Sequence, residues 1–176
     1  MTAELSPKLA MLRDLGFADV EHDSHVPFLS HLGGTRRILR EWGCRAALCD
    51  AGLFHSVYGT EYFDPSELAE ADRVAVVALI GAEAERLAWL WCTIVRDEID
   101  VDTFTAPNRL TGETIQMTAQ EVADLATLWA ADTVEQIERM TPDERGFAHT
   151  LPRVLPFAEP VAQAAMEPLL ALVDER

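Results

Sequence analysis

Basic residues are scarce in this chain of 176 residues: 14 Lys and Arg stand against 30 Asp and Glu, a formal net charge of −16. Nucleic-acid affinity comes chiefly from cations that neutralise phosphates, so this balance argues against a nucleic-acid partner. An anionic membrane surface is disfavoured for the same reason. Cysteine is scarcer still. Cys44, Cys49 and Cys92 are odd in number and lie inside apolar helical stretches, which points to reduced core thiols in a cytoplasmic protein rather than a disulfide framework. A Cys44/Cys49 metal pair is the lesser reading. No apolar run reaches the length of a membrane span, and the amino terminus, MTAELSPKLAMLRDLG, is too charged to be a signal peptide. The chain also lacks internal repeats, a P-loop, a Rossmann glycine pattern, a nucleophile elbow and an HExxH zincin motif.

What is present is helical periodicity. The length suits one domain, residues 1–176, with a core that needs no staples. The organising stretch runs from His31 to Glu61, HLGGTRRILREWGCRAALCDAGLFHSVYGTE. Phe28, Leu32, Leu39 and Trp42 recur on one face of a first helix, which Pro27 suits at its first turn and Gly43 ends. Ala46, Ala47, Leu48, Ala51, Leu53 and Phe54 make a second helix apolar nearly all round, and therefore buried. His31 stands near the start of the first helix and His55 at the end of the second. A turn this short makes the helices antiparallel neighbours and brings both imidazoles to one end of the pair, a setting suited to a metal site.

This arrangement resembles the HD-domain superfamily of helical metal-dependent phosphohydrolases and oxygenases. There, a first histidine is followed about two dozen residues later by an Ala- and Leu-rich helix ending in a His-Asp pair; here AGLFHS stands in that place, with Ser56 where the family has its aspartate. The resemblance implies an all-α HD-like bundle and a later aspartate closing the site. Asp132 is the choice for it. In the helix opened by the capping box Thr118-Ala119-Gln120-Glu121, Asp132 falls on the stripe of Val122, Leu125, Trp129 and Gln136. A carboxylate on a buried stripe is costly unless paired, hydrogen-bonded or metal-bound. Asp124 is the rival, and a purely structural salt bridge or cap is the competing role for Asp132.

His31, His55 and Asp132 would together suit Fe(II), Mn(II) or Zn(II) with coordination positions left open. The missing aspartate argues against a dinuclear centre. The extra histidines of the HD-type diiron oxygenases are missing too, since no histidine lies between His55 and His149. Around this set, the loop after His55 offers Tyr58, Thr60, Glu61 and Tyr62 as substrate contacts or as a rigid aromatic turn; Tyr58 and Glu61 are the candidates for acid–base work beside His55. Arg36, from the Arg36/Arg37/Arg40/Arg45 cluster, is the candidate for an anionic substrate group. His25, with His22 and Asp23, either folds over the site to touch ligand or substrate or belongs to a solvated loop.

Elsewhere, Glu4–Leu15 reads as an amphipathic helix, and Asp64-Pro65 as the cap of a helix running from Leu68 to Val95 in two pieces divided near Gly81. Val74, Val77, Ala78 and Ile80 are its first buried face, and Leu87, Leu90, Trp91 and Ile94 its second. Residues 108–117 suit a small β-hairpin with a Thr-Gly turn. The proline-rich tail reads as an extended wrap, with His149 structural or solvated, followed by a short helix over Val161–Val173. Two functions follow. One is a metal-dependent enzyme acting on a small, possibly anionic molecule, hydrolytic or, with iron, oxidative. The other is a metal-free HD-like protein that binds a ligand or partner, or catalyses with His55 and Tyr58. A homo-oligomer is compatible with either.

Overall fold

The computed structural model describes residues 5–18, 26–60 and 72–173. Among them the fold is mostly helical, with one two-stranded antiparallel hairpin. No helix among the described residues is long and apolar enough to cross a membrane.

Helix α1 spans Leu5–Asp14 and α2 Phe28–Glu41, the latter preceded by Pro27 in extended geometry. Gly43 ends α2 with a φ of 76°, a left-handed conformation that only glycine adopts cheaply, and its N–H closes onto the Arg40 carbonyl. That turn sends the chain straight back as α3, Ala46–Phe54, in which every residue from Leu48 to Phe54 is buried. Helix α2 lies tightly against α3 at Gly52, where a Cβ would come within 2.5 Å of the Leu39 side chain.

Helix α4, Arg73–Ile80, is capped by the Asp72 carboxylate, which accepts from the Val74 N–H. Gly81, at φ 86°, breaks it from α5, Ala82–Thr93. The second apolar face anticipated from sequence is buried as expected, with Leu87, Leu90, Trp91 and Ile94 all in the core. The first is not. Val76 and Ile80 are the buried residues of α4, whereas Val74 is 77% exposed and Val77 and Ala78 also face solvent. A segment as uniformly apolar as VAVVALI carries no phase from which its inward side can be read. The proposed Asp64 cap, Glu61, Tyr62 and the stretch containing His22, Asp23 and His25 lie outside the described residues.

The hairpin forms one register earlier than its turn residues suggest: strand β1, Thr105–Pro107, pairs with β2, Thr114–Gln116, Ala106 opposite Ile115. Asn108 opens the turn, its side-chain carbonyl accepting from the Leu110 and Thr111 N–H groups. Helix α6, Ala119–Gln136, starts on the anticipated capping box, with the Thr118 hydroxyl accepting from the Glu121 N–H and the Glu121 carboxylate from the Thr118 N–H.

The tail is a chain of short helical turns rather than an extended wrap. A 3₁₀ segment at Pro142–Ala148 leads into α7 (Leu151–Val154), α8 (Pro160–Met166) and α9 (Leu170–Val173), the last two separated by another 3₁₀ turn. Most of its prolines sit in the first turn of such a piece, where the missing N–H costs nothing.

Two clusters of buried side chains hold these elements. One gathers α5, α6, the end of α2, the start of α3 and the tail around Trp91, Leu125, Trp129 and Leu151. The other joins α1, the start of α2, the end of α3, and α4 around Leu12, Phe28, Leu53 and Phe54. Each fully buried Leu or Phe contributes about 1.5–3 kcal/mol relative to exposure. Helix α3 contributes to both, and its carboxyl end lies where they meet.

Candidate metal centre

Three side chains converge at that junction. His31 comes from the second turn of α2, His55 is the residue that ends α3, and Asp132 projects from the last third of α6. All three are buried, His31 to 1% exposure. His31 Nε2 lies 3.2 Å from His55 Nε2 and 3.1 Å from Asp132 Oδ1, and His55 Nε2 lies 3.4 Å from the same oxygen. The antiparallel turn at Gly43 does what its brevity implied, carrying the two histidines to one end of the helix pair. The face of α6 that bears Trp129 and Gln136 supplies the carboxylate.

The outer nitrogens fix the inner ones. His55 Nδ1 donates to the Gly52 carbonyl at 2.7 Å, and a carbonyl can only accept, so this nitrogen carries the proton. His31 Nδ1 donates to Glu135 Oε2 at 2.6 Å. In its neutral form each ring therefore presents an Nε2 lone pair to the same point as the Asp132 oxygen. Three electron-rich atoms within 3.4 Å of one another repel unless a cation joins them. Without a metal, that cation is a proton. Burial by itself would lower the His31 pKa, but hydrogen bonds and charge from Asp132 and Glu135 outweigh it and raise the value to about 9. Burial likewise acts to raise Asp132, and its contacts with His31 and His55 hold it well below the usual carboxylate range instead.

The triangle also fits a metal ion. Metal–ligand lengths near ~2.1 Å put neighbouring donors ~3.0 Å apart in an octahedral site and ~3.4 Å apart in a tetrahedral one. The three observed separations span that interval. Two imidazoles and one carboxylate on one face are the ligand set of mononuclear sites with open positions, and a carboxylate or carbonyl on each outer imidazole nitrogen is the usual support of a metal-bound histidine.

The support is built into the helices. Glu135 follows Asp132 by three residues on α6 and reaches across to α2, where Gly34 follows His31 by three. A Cβ at Gly34 would stand 2.7 Å from Glu135 Cγ, so the glycine makes room for that carboxylate. Arg139, one turn further on, donates to its other oxygen at 2.8 Å. Gln136 Nε2 donates to Asp132 Oδ2 at 3.1 Å, leaving Oδ1 for the triangle. Trp91 packs edge-on against the His55 ring at 5.5 Å between centroids. The Cys92 thiol, raised to about 12 by burial first of all, donates to the His55 carbonyl and is inert as a nucleophile.

Other residues singled out from sequence lie on different partners. The Tyr58 hydroxyl donates to Glu85 Oε1 at 2.9 Å, and Arg73 holds the same carboxylate; burial and then this contact raise the phenol's pKa. Arg36 reaches Asp50, which Lys8 also pairs at 2.6 Å. Thr60 is buried. Asp124, the rival to Asp132, is taken by a two-pronged contact from Arg45. His149 donates to the Gly146 carbonyl at 2.6 Å, and all three cysteines are free thiols. Glu61 and His25 fall outside the described residues. Sequence reasoning missed Glu135, the bond from Gln136 to Asp132, and Gly34. Glu135 and Gln136 lie three and four residues after Asp132, a spacing that could have pointed to both.

Residues 11–96 match the family model described as Domain of unknown function (DUF6817), a stretch that carries His31 and His55 but not Asp132. No curated protein and no solved structure matches the chain.

Proposed function

We propose that the chain is a mononuclear metal-dependent enzyme of the HD-like group, with His31 Nε2, His55 Nε2 and Asp132 Oδ1 as ligands of one Fe, Mn or Zn ion, and that it acts on a small anionic molecule. The observation that carries this reading is the convergence of two lone-pair nitrogens and one carboxylate oxygen within 3.4 Å, each imidazole already held by its outer nitrogen. Such an ion supplies Lewis acidity for hydrolysis of a phosphoryl or carbonyl substrate, or, as iron, oxidative chemistry. The protein's part is to keep both histidines in one tautomer, through Glu135 and the Gly52 carbonyl, and to keep Asp132 ionised. Ser56 in place of a second carboxylate favours one ion over two. The metal-free alternative, with His55 and Tyr58 as an acid–base pair, is weaker because the Tyr58 hydroxyl is committed to Glu85.

The test is elemental analysis of untagged protein purified without chelator, wild type beside His55→Ala and the near-isosteric Asp132→Asn. About one iron, manganese or zinc per chain is expected in the wild type. A loss of affinity of more than about 100-fold is expected in both variants, beyond the range for outer partners. The helical circular dichroism of each variant is expected to persist. No metal in the wild type even after anaerobic reconstitution overturns the proposal.

A further inference from the structure

On the other side of α2 from His31 lies a groove of about 770 Å³, closed on its far side by α1. Four arginines rim it, Arg13 from α1 and Arg36, Arg37 and Arg40 from α2, and its floor is aliphatic, with Leu9 and Leu29 half-buried in it. Arg36 is five residues beyond His31, ~140° round the helix, so the groove and the metal centre occupy different faces of one helix. Its volume is within the range of small-molecule sites.

The rim is only partly neutralised by the described residues. Arg36 reaches Asp50 at 3.5 Å, a distance that makes a weak contact, and Arg37 pairs with Glu41, the acidic residue that also lines the groove. Arg13 and Arg40 are exposed, and among the described residues neither has an ion-pair partner. In a chain of net charge −16 with 14 basic residues, four gathered around one aliphatic trough form a local field of opposite sign. We infer that this groove binds a small anionic amphiphile, a single carboxylate or phosphate head on an aliphatic chain. The head lies between Arg13 and Arg40, where guanidinium forks match its oxygens, and the tail lies along the leucines. A free nucleotide or sugar phosphate leaves the leucine floor wet, and a neutral lipid leaves the arginines unanswered. The inference does not depend on the metal centre.

The test is calorimetric titration of the full chain with decanoate and with decyl phosphate below their micellar concentrations. Decyl glucoside, inorganic phosphate, and phosphatidylglycerol and phosphatidylcholine vesicles are run alongside. Saturable binding of one anionic decyl compound per chain is expected, at least about tenfold tighter than decyl glucoside or inorganic phosphate, and weakening with added salt. The tighter of the two heads identifies the source as a fatty acid or a phosphate ester. Arg13→Gln/Arg40→Gln, two exposed positions, is expected to lose about tenfold with an unchanged melting temperature. His55→Ala is expected to bind as the wild type does. Equal affinity for decyl glucoside, an unaffected double variant, binding to vesicles alone, or no binding overturns the inference.

Discussion

Two buried carboxylates on α6 have opposite company. Asp124 and Asp132 stand eight residues apart, both under 5% exposed. Asp124 meets Arg45, a cation at every accessible pH, and is also bonded by Gln120. Asp132 meets two histidines whose other nitrogens already donate elsewhere, and so has no permanent counter-charge. The first arrangement is complete as folded. The second is complete only when a cation joins it, a proton in the metal-free form or, on the proposed reading, a metal ion.

Breaking the complete pair should cost the most folding stability. Arg45→Ala leaves a buried, uncompensated carboxylate; the full penalty of about 3–5 kcal/mol is reduced by the 37% exposure of the Arg45 side chain, giving an expected loss of about 2–3 kcal/mol. Urea denaturation measures it, and metal content is expected to stay at the wild-type level. Glu135→Gln sharpens the other half. It keeps the shape and removes the charge behind His31, so metal affinity is expected to fall about 10–100-fold, and the metal-free form is expected to melt lower at neutral pH because His31 loses one of the two carboxylates that raise its pKa. An unaltered affinity would mean that the Glu135 contact only packs.

The pH dependence of the two states should run in opposite directions. In the metal-free protein the raised pKa of His31, from 6.5 to about 9, contributes stability that is fully present below pH 6.5 and lost as pH rises through 9. A metal takes the same lone pair and displaces that proton, so metal affinity is expected to rise with pH up to about 9 and then level. Denaturation midpoints from pH 6 to 10, with and without chelator, measure both slopes. The smallest effect is expected on α4, where Val74→Ser is expected to change stability by no more than about 0.5 kcal/mol because the side chain is already in water.

Much of this was legible before the chain was folded. The helix pair at His31 and His55 follows from an apolar stripe, a stop glycine and a run of small residues; the Thr118 capping box also announces itself locally, whereas the hairpin was legible only as a Thr111-Gly112 turn within residues 108–117, and its first strand lies before Asn108. Asp132 was singled out because a carboxylate on an apolar stripe demands an explanation, and the structure sets it beside His31 and His55. The α4 face was misassigned because Val74, Val77 and Val76 are chemically alike, and only the position of α1 and α5 selects Val76. The tail was misread because proline excludes a long helix but accepts the first turn of a short one.

The sequence by itself determined the limits of the helices with local stop or start signals, α2 at Gly43, α5 at Gly81 and α6 at Thr118, because caps, glycine conformations and side-chain periodicity act within a turn or two of chain. The tertiary structure alone decided that Arg45 serves Asp124, that Gly34 opens a space for Glu135, and that Arg13 joins the arginines of α2 at one groove. Those pairings join residues tens of positions apart, and their energies exist only once packed helices exclude water and set the distances at which charges meet.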